Sequence, residues 1–223
     1  MRHFITVAID GTAASGKTST ALKIAQKYNM LMASTGLYYR AITLHLLRSG
    51  VESGDVDAAV DCIEQISLGT EISGNISQLT INGDIFDEHS LRTGDVNEAV
   101  AVYSSIGEIR DFLFDYQRSQ VDIARHNGFS GLVMEGRDIT SVILPDADLR
   151  FFLDASVGER SLRRKNDSEE DYISARDKID NRRAICGDGV MKIDTGANDL
   201  NAVVAEISSK IDALLEESAR KSH

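Results

Sequence analysis

Apolar and β-branched residues open the chain as a short run, Phe4-Ile5-Thr6-Val7-Ala8-Ile9. A run with so little polar alternation marks a strand buried on both faces, as in a parallel sheet. Small residues follow at once and then a helical pattern, so strand, loop and helix come in that order. Similar runs recur at Leu132-Val133-Met134 and Leu149-Arg150-Phe151-Phe152-Leu153, each ahead of a helix-compatible stretch. Val190-Met191-Lys192-Ile193 precedes an amphipathic segment from about Asn201 to Glu217. The alternation predicts an α/β fold, a parallel sheet with helices on both faces. Between about Gly69 and Asp95, Ile72, Ile76, Leu79, Ile81 and Ile85 alternate irregularly with Gly74, Asn75, Asn82 and Gly83. Short strands joined by turns, forming a small β-rich insert, are expected there. From Tyr103 to His126, Ile106, Ile109, Leu113, Val121 and Ile123 fall near helical spacing with Arg110, Gln117 and Arg118 between them. That spacing predicts one long helix presenting polar groups.

Composition narrows the class. With 223 residues, 42% hydrophobic and one proline, the chain can build one α/β core with small subdomains, not two large independent domains. Its 24 Lys and Arg against 35 Asp and Glu leave a formal charge of −11, which repels polyanions and argues against nucleic acid or an anionic membrane as partner. A small phosphorylated ligand needs only a local basic pocket. Cys62 and Cys186 lie far apart without metal-ligand spacing, so reduced structural thiols are expected rather than a disulfide or a zinc site. No apolar run reaches the roughly 18 residues that span a bilayer, and the N-terminus enters a strand directly rather than a signal peptide. A cytoplasmic protein is therefore expected, and a monomer, since nothing in the pattern demands an interface.

The strongest chemical signal is Gly11-Thr12-Ala13-Ala14-Ser15-Gly16-Lys17-Thr18, which fits GxxxxGK[ST] between the first predicted strand and helix. Backbone N–H groups must point inward around a β-phosphate, so glycines belong where a side chain would block approach or where φ is positive. Lys17 can then bridge β- and γ-phosphate oxygens, and the Thr18 hydroxyl can ligate Mg²⁺. ATP contacts are expected from Gly11 through Ser19.

A phosphate loop does not name the acceptor, and three further clusters bear on it. Ser34-Thr35-Gly36-Leu37-Tyr38-Tyr39-Arg40 places hydroxyls and a glycine at an expected helix start, where an anion is favoured. Glu135-Gly136-Arg137-Asp138 follows a strand directly, at the carboxyl end where open α/β sheets bind ligands. There Glu135 can hold Mg²⁺, Arg137 a phosphate, and Asp138 a base amino group. The third cluster runs from Arg160 through Arg163, Arg164 and Lys165 to Arg183. On a helix, Arg176, Asp180 and Arg183 share one face, and two guanidinium groups flanking a carboxylate suit a transferring phosphoryl group.

Together these residues resemble the bacterial cytidylate kinases, of the nucleoside monophosphate kinase group. The likeness also takes in Leu91-Arg92-Thr93, Arg110 with Gln117-Arg118, Pro145-Asp146-Ala147, Phe152-Leu153-Asp154-Ala155-Ser156 and Glu159-Arg160. It implies a P-loop NTPase-type parallel sheet flanked by helices, forming a single kinase unit. The core would span about 1–33, 96–158 and 184–223, a monophosphate-binding part with the β-rich insert about 34–95, and a short lid about 159–183. It further implies ATP- and Mg²⁺-dependent phosphorylation of CMP and dCMP in pyrimidine nucleotide metabolism. By the resemblance, Thr35, Arg110 and Asp138 line the nucleoside pocket and Tyr39 lies in the same acceptor segment. Arg40, Arg137 and Arg183 lie near the acceptor phosphate, Asp180 near the ribose, and Arg176 near the transferring group. Lys17, Arg137, Arg176, Asp180 and Arg183 are the catalytic candidates. The chain departs from the family pattern at Ser34 (usually aspartate), Ala101 (commonly serine), Gly107 and Thr12 (usually proline) and Thr140-Ser141 (usually Gly-Thr). A kinase for another small acceptor, such as UMP or shikimate, and a non-enzymatic ATP-binding module remain the alternatives.

Overall fold

The first apolar run does form a strand, and the elements follow it in the predicted alternation. In chain order they are β1 (Ile5–Gly11), α1 (Lys17–Tyr28), β2 (Leu31–Ser34), α2 (Thr35–Arg48), α3 (Val56–Ile63), β3 (Leu68–Ser73), β4 (Ile76–Ile81) and β5 (Asp84–Ile85). After a 3-10 turn at Ser90–Arg92 come α4 (Gly94–Tyr103), α5 (Gly107–His126), β6 (Gly131–Gly136), a π-helical turn at Ile139–Ile143, β7 (Leu149–Asp154), β8 (Met191–Asp194) and α6 (Leu200–Lys221). The computed structural model describes residues 4–156, 158–159, 188–196 and 198–221. It divides into two compact units, Met1–Ala33 with Val121–His223, and Ser34–Gln120.

In the first unit the strands lie in the order β2-β6-β1-β7-β8. β1 pairs in parallel with β6 and β7, and β7 with β8. Ile5, Val7 and Ile9 point to one face together with Val133, Phe151, Leu153 and Ile193. Against that face pack Ala21, Ile24 and Ala25 of α1 and Val203, Ile207 and Ile211 of α6, the last three at strict i, i+4, i+8 spacing. Ala8, Leu132 and Met134 alternate to the opposite face and are also buried. Burial on both faces is why these strands read as unbroken apolar runs. From the middle and the end of α1, Lys23 donates to Asn201 (2.8 Å) and the Tyr28 hydroxyl to Asp212 (2.8 Å), fixing how α6 lies along it.

The second unit holds the short strands. β3 and β4 pair antiparallel, and β4 returns into β5 through Asn82-Gly83. Both of those residues have positive φ (54° and 88°), the conformation of a two-residue I′ hairpin turn. A buried polar chain ties the hairpin to α2 and to the part of α5 in this unit. Ser77 donates to Gln120 Oε1 (2.6 Å), so its contact with Tyr38 (2.9 Å) must be a donation from the phenol. Gln120 Nε2 donates to Thr70 (3.2 Å), and the Tyr116 hydroxyl donates to the Gly69 carbonyl (3.1 Å). The Tyr38 and Tyr116 rings meet edge to face at 5.2 Å, and burial pushes the Tyr116 phenol pKa upward.

One expectation is corrected. The helix predicted from Tyr103 to His126 forms as α5 and ends where expected, but it starts later, at Gly107, because Tyr103 ends α4. The hydroxyls of Ser104 and Ser105 donate to the carbonyls of Ala101 (3.4 Å) and Val102 (2.6 Å), satisfying acceptors a continued helix would have used. Neither α4 nor α3 was expected from the pattern. Among the described residues no helix is long and apolar enough to cross a membrane. Cys62 is a free, half-buried thiol; Cys186 lies outside the described residues.

Ile207 is fully buried between α6 and the sheet. Ile207→Ala should lower unfolding stability by about 2–5 kcal/mol through lost burial and the cavity left behind. Urea unfolding followed by circular dichroism measures this directly, as a lower midpoint at unchanged slope.

Candidate functional site

β1 and β6 are adjacent and parallel, with Asp10 in register with Gly136, so their carboxyl ends stand side by side. The chain leaves β1 through α1 toward β2, on the far side of β6, and leaves β6 toward β7 on the other side of β1. Connections that part in this way leave a crevice at the strand ends, the usual ligand position in open α/β sheets.

The predicted phosphate loop fills that position. Gly11 ends β1 with φ 158°, and a Cβ there would lie 2.2 Å from the Leu153 carbonyl oxygen of β7 and 2.9 Å from Ser15 Oγ. Only glycine fits. Thr12, Ala13, Ala14 and Ser15 form the loop, with Ala14 (φ 57°) and Gly16 (φ 85°) both left-handed. Turns of this kind gather N–H groups into an anion-binding concavity at the head of α1, which Lys17, Thr18 and Ser19 begin. Lys17 is buried, and its ammonium donates to the Gly11 (2.9 Å) and Thr12 (2.8 Å) carbonyls. Thr12 Oγ1 and Ser15 Oγ are buried without a hydrogen-bond partner among the described residues, the state of groups shaped for a ligand's oxygens.

Beside the loop, the Thr18 hydroxyl donates to Glu135 Oε1 at 3.0 Å, bringing together the two residues the sequence nominated for a metal. Glu135 and Asp138 are buried and Arg137 is half-buried. The Asp138 carbonyl accepts from Val142 (2.9 Å) and Ile143 (3.2 Å), starting the π-helical turn; such turns recur at functional sites. Asp10, which the sequence reading did not single out, anchors this turn. Its Oδ1 accepts the Ile139 N–H (2.8 Å), and its Oδ2 accepts both the Thr140 N–H (2.8 Å) and the Thr140 hydroxyl (2.6 Å). Burial pushes the Asp10 pKa up, and the three donated bonds oppose that shift. A carboxylate closing an otherwise apolar strand was the available signal, because a buried charge must find donors.

In the second unit, Thr35 opens α2 after Ser34, whose hydroxyl makes no capping bond to the helix. Thr35 is buried and Tyr39 half-buried. Arg40 is buried, and its Nη1 donates to the Leu91 carbonyl (2.9 Å) and to Asn97 Oδ1. Asn97 in turn donates to the Arg92 carbonyl (3.1 Å), so the Leu91–Asn97 segment holds this guanidinium. Asn97 was not anticipated from sequence. Arg110 is half-buried in the first turn of α5. A cavity of about 470 Å³ in this unit, lined by His45, Ser49, Cys62, Gln65 and Asn82 among others, contains none of the predicted site residues. Arg176, Asp180 and Arg183 lie outside the described residues, as does nearly all of the expected lid.

Comparison with known proteins addresses the same residues. The sequence profile of a family described as Cytidylate kinase matches residues 7–213. A cytidylate kinase of Streptococcus gordonii is 34% identical over 227 aligned positions, covering 95% of this chain and 98% of that protein. One from Pelotomaculum thermopropionicum is 32% identical over 197 positions, covering 82% and 84%. Among solved structures, an unliganded sugar kinase from Janibacter sp. HTCC2649 matches with a TM-score of 0.50 at 10% identity, covering 94% of this chain and 95% of that one, a likeness of fold alone. With a profile match over nearly its whole length and a phosphate loop whose geometry is intact, the chain belongs to the cytidylate kinase family.

Proposed function

We propose that the chain transfers the terminal phosphoryl group of ATP to CMP or dCMP, giving CDP or dCDP, as a cytoplasmic monomer in pyrimidine nucleotide metabolism. The observation that carries this reading is the phosphate loop itself: a turn bounded by Gly11 and Gly16, left-handed at Ala14 and Gly16, with Lys17 held on its rim and two unpartnered hydroxyls, inside a cytidylate kinase sequence.

The loop N–H groups and Lys17 take the ATP phosphates. A phosphate oxygen is a charged acceptor and outcompetes the neutral Gly11 and Thr12 carbonyls for the ammonium, so Lys17 exchanges one pair of partners for another within reach. Thr18 and Glu135 supply hydroxyl and carboxylate oxygens at 3.0 Å, a donor set that fits Mg²⁺, which takes one or two protein oxygens and completes its shell with phosphate and water. When bound, Mg²⁺ neutralises charge on the β- and γ-phosphates. No general base is needed, since a nucleoside monophosphate carries nearly two negative charges at neutral pH and is itself the nucleophile. Arg137 neutralises the acceptor phosphate, and Asp138 accepts from the base amino group. Thr35, Tyr39, Arg40 and Arg110 supply further acceptor contacts. Arg176, Asp180 and Arg183 take the roles expected from sequence on the transferring group, the ribose and the acceptor phosphate. Positioning and charge neutralisation supply the rate.

Two measurements test the reading. ADP production with ATP and Mg²⁺ should be strong with CMP and dCMP and much weaker with UMP, AMP, GMP or no acceptor; preference for another monophosphate overturns the base assignment. Lys17→Ala should lower kcat by about 10²–10³-fold, as loss of a charge-stabilising donor does, with its circular dichroism spectrum unchanged. Near-wild-type turnover in that folded variant removes Lys17 from the mechanism.

A further inference from the structure

The carboxyl ends of β1 and β6 carry two loops that leave in different directions, and one buried side chain links them. Asp10 follows Ile9, whose side chain lies in the core beneath α1, so by strand alternation Asp10 points to the opposite face. There it meets the turn that follows Arg137 and Asp138. It is 3% exposed, and its two oxygens divide three donors between consecutive residues: Ile139 N–H at one, Thr140 N–H and Thr140 hydroxyl at the other. A carboxylate removed from water is retained only where donors replace its hydration. These donors belong to the two residues immediately after the acceptor-side pair. The backbone at Ile139 and Thr140 is thus fixed to β1, and the direction in which Arg137 and Asp138 leave β6 is fixed with it.

We infer that Asp10, with the Thr140 hydroxyl, is a positioning residue for the acceptor nucleotide: it clamps the Ile139-Thr140 backbone so that Arg137 and Asp138 are held in their acceptor-binding geometry. The inference rests on the proposed acceptor role of Arg137 and Asp138. Asp10 precedes Gly11, yet each of the three side-chain bonds described goes to the turn after β6 rather than to the phosphate loop. The clamp therefore acts on the acceptor side, and its loss raises KM for CMP without a matching change for ATP.

Steady-state kinetics of the full chain, with CMP varied at saturating ATP and the reverse, separate the two sides. Thr140→Val keeps the shape and both backbone donations but removes the hydroxyl. It should raise KM for CMP about tenfold, the effect of losing one hydrogen bond to a charged group, and leave KM for ATP within about twofold. Thr140→Ser restores the hydroxyl and should return KM for CMP toward wild type. Asp10→Asn replaces one acceptor oxygen by a donor that faces donors, and should shift KM for CMP further in the same direction. If Asp10→Asn fails to fold, the threonine pair still decides. A Thr140→Val enzyme with unchanged KM for CMP overturns the inference. So does an equal rise in both KM values with a lower melting temperature, which marks a purely structural bond. Arg137→Ala in the same assay keeps the two levels apart. If wild type turns over CMP and Arg137→Ala leaves its KM unchanged, the acceptor role of Arg137 fails and the inference falls with it. If Arg137→Ala raises that KM and Thr140→Val does not, only the clamp fails.

Discussion

Gly11 has no room for a side chain, and the phosphate loop is built around that constraint. Pairing in parallel with β7 brings the Leu153 carbonyl so close that a methyl group would sit 2.2 Å from it. The contact forces the chain off the strand with the backbone bare at Gly11, through left-handed residues at Ala14 and Gly16, and into α1 with its first N–H groups unshared by earlier turns. A loop tight enough to wrap a phosphate is thus a consequence of how closely two parallel strands approach at their carboxyl ends. Lys17 follows from the same geometry: it begins the helix, and its side chain folds back onto the carbonyls the tight turn leaves on its rim.

Strand alternation then sorts the surroundings. On β1, odd-numbered residues feed the core under α1 and α6, while Asp10 faces the turn after β6. Packing and polar anchoring occupy opposite faces of one strand, which lets a seven-residue element support the loop on one side and the Arg137-Asp138 turn on the other. The second unit solves a similar problem differently. Its hairpin is tied to α2 by a buried chain in which each hydroxyl has a defined direction of donation, from Tyr38 through Ser77 to Gln120. Leaving one member unsatisfied in such a chain costs more than the bond gains, so the arrangement is specified tightly.

What the sequence disclosed follows from whether partners are neighbours in the chain. The phosphate loop was legible because its demands fall on eight consecutive residues and each demand selects a residue type. The core strands were legible because burial on both faces leaves unbroken apolar runs. The start of α5 was not, since Ile106 falls in step with Ile109 and Leu113 although the helix begins only at Gly107, and the hydroxyls of Ser104 and Ser105 turn to carbonyls of α4 in a way that a periodicity does not register. Asp10 was hidden for a different reason: its partners lie 129 and 130 residues away. Thr140 stood out only as a departure from the family pattern, and its bond to Asp10 is what gives that departure a physical meaning. Asn97 was likewise invisible, being an ordinary polar residue on α4 until the fold sets it against Arg40.

A chain with formal charge −11 that binds polyanionic nucleotides poses an electrostatic question that the loop geometry answers. At physiological ionic strength the Debye length is about 8 Å, so acidic residues spread over the surface repel a nucleotide only weakly once it reaches the loop. Inside that range the fixed dipoles of the helix terminus and one buried ammonium act at short distance and with little screening. The nearest buried carboxylate on β1, Asp10, already has three donors directed at it, and its field is offset by groups of its own. Overall acidity therefore governs what large polyanions the surface rejects, while recognition of a small phosphate depends on a few groups whose positions the sheet fixes. Net charge and site charge can have opposite signs because they act over different lengths.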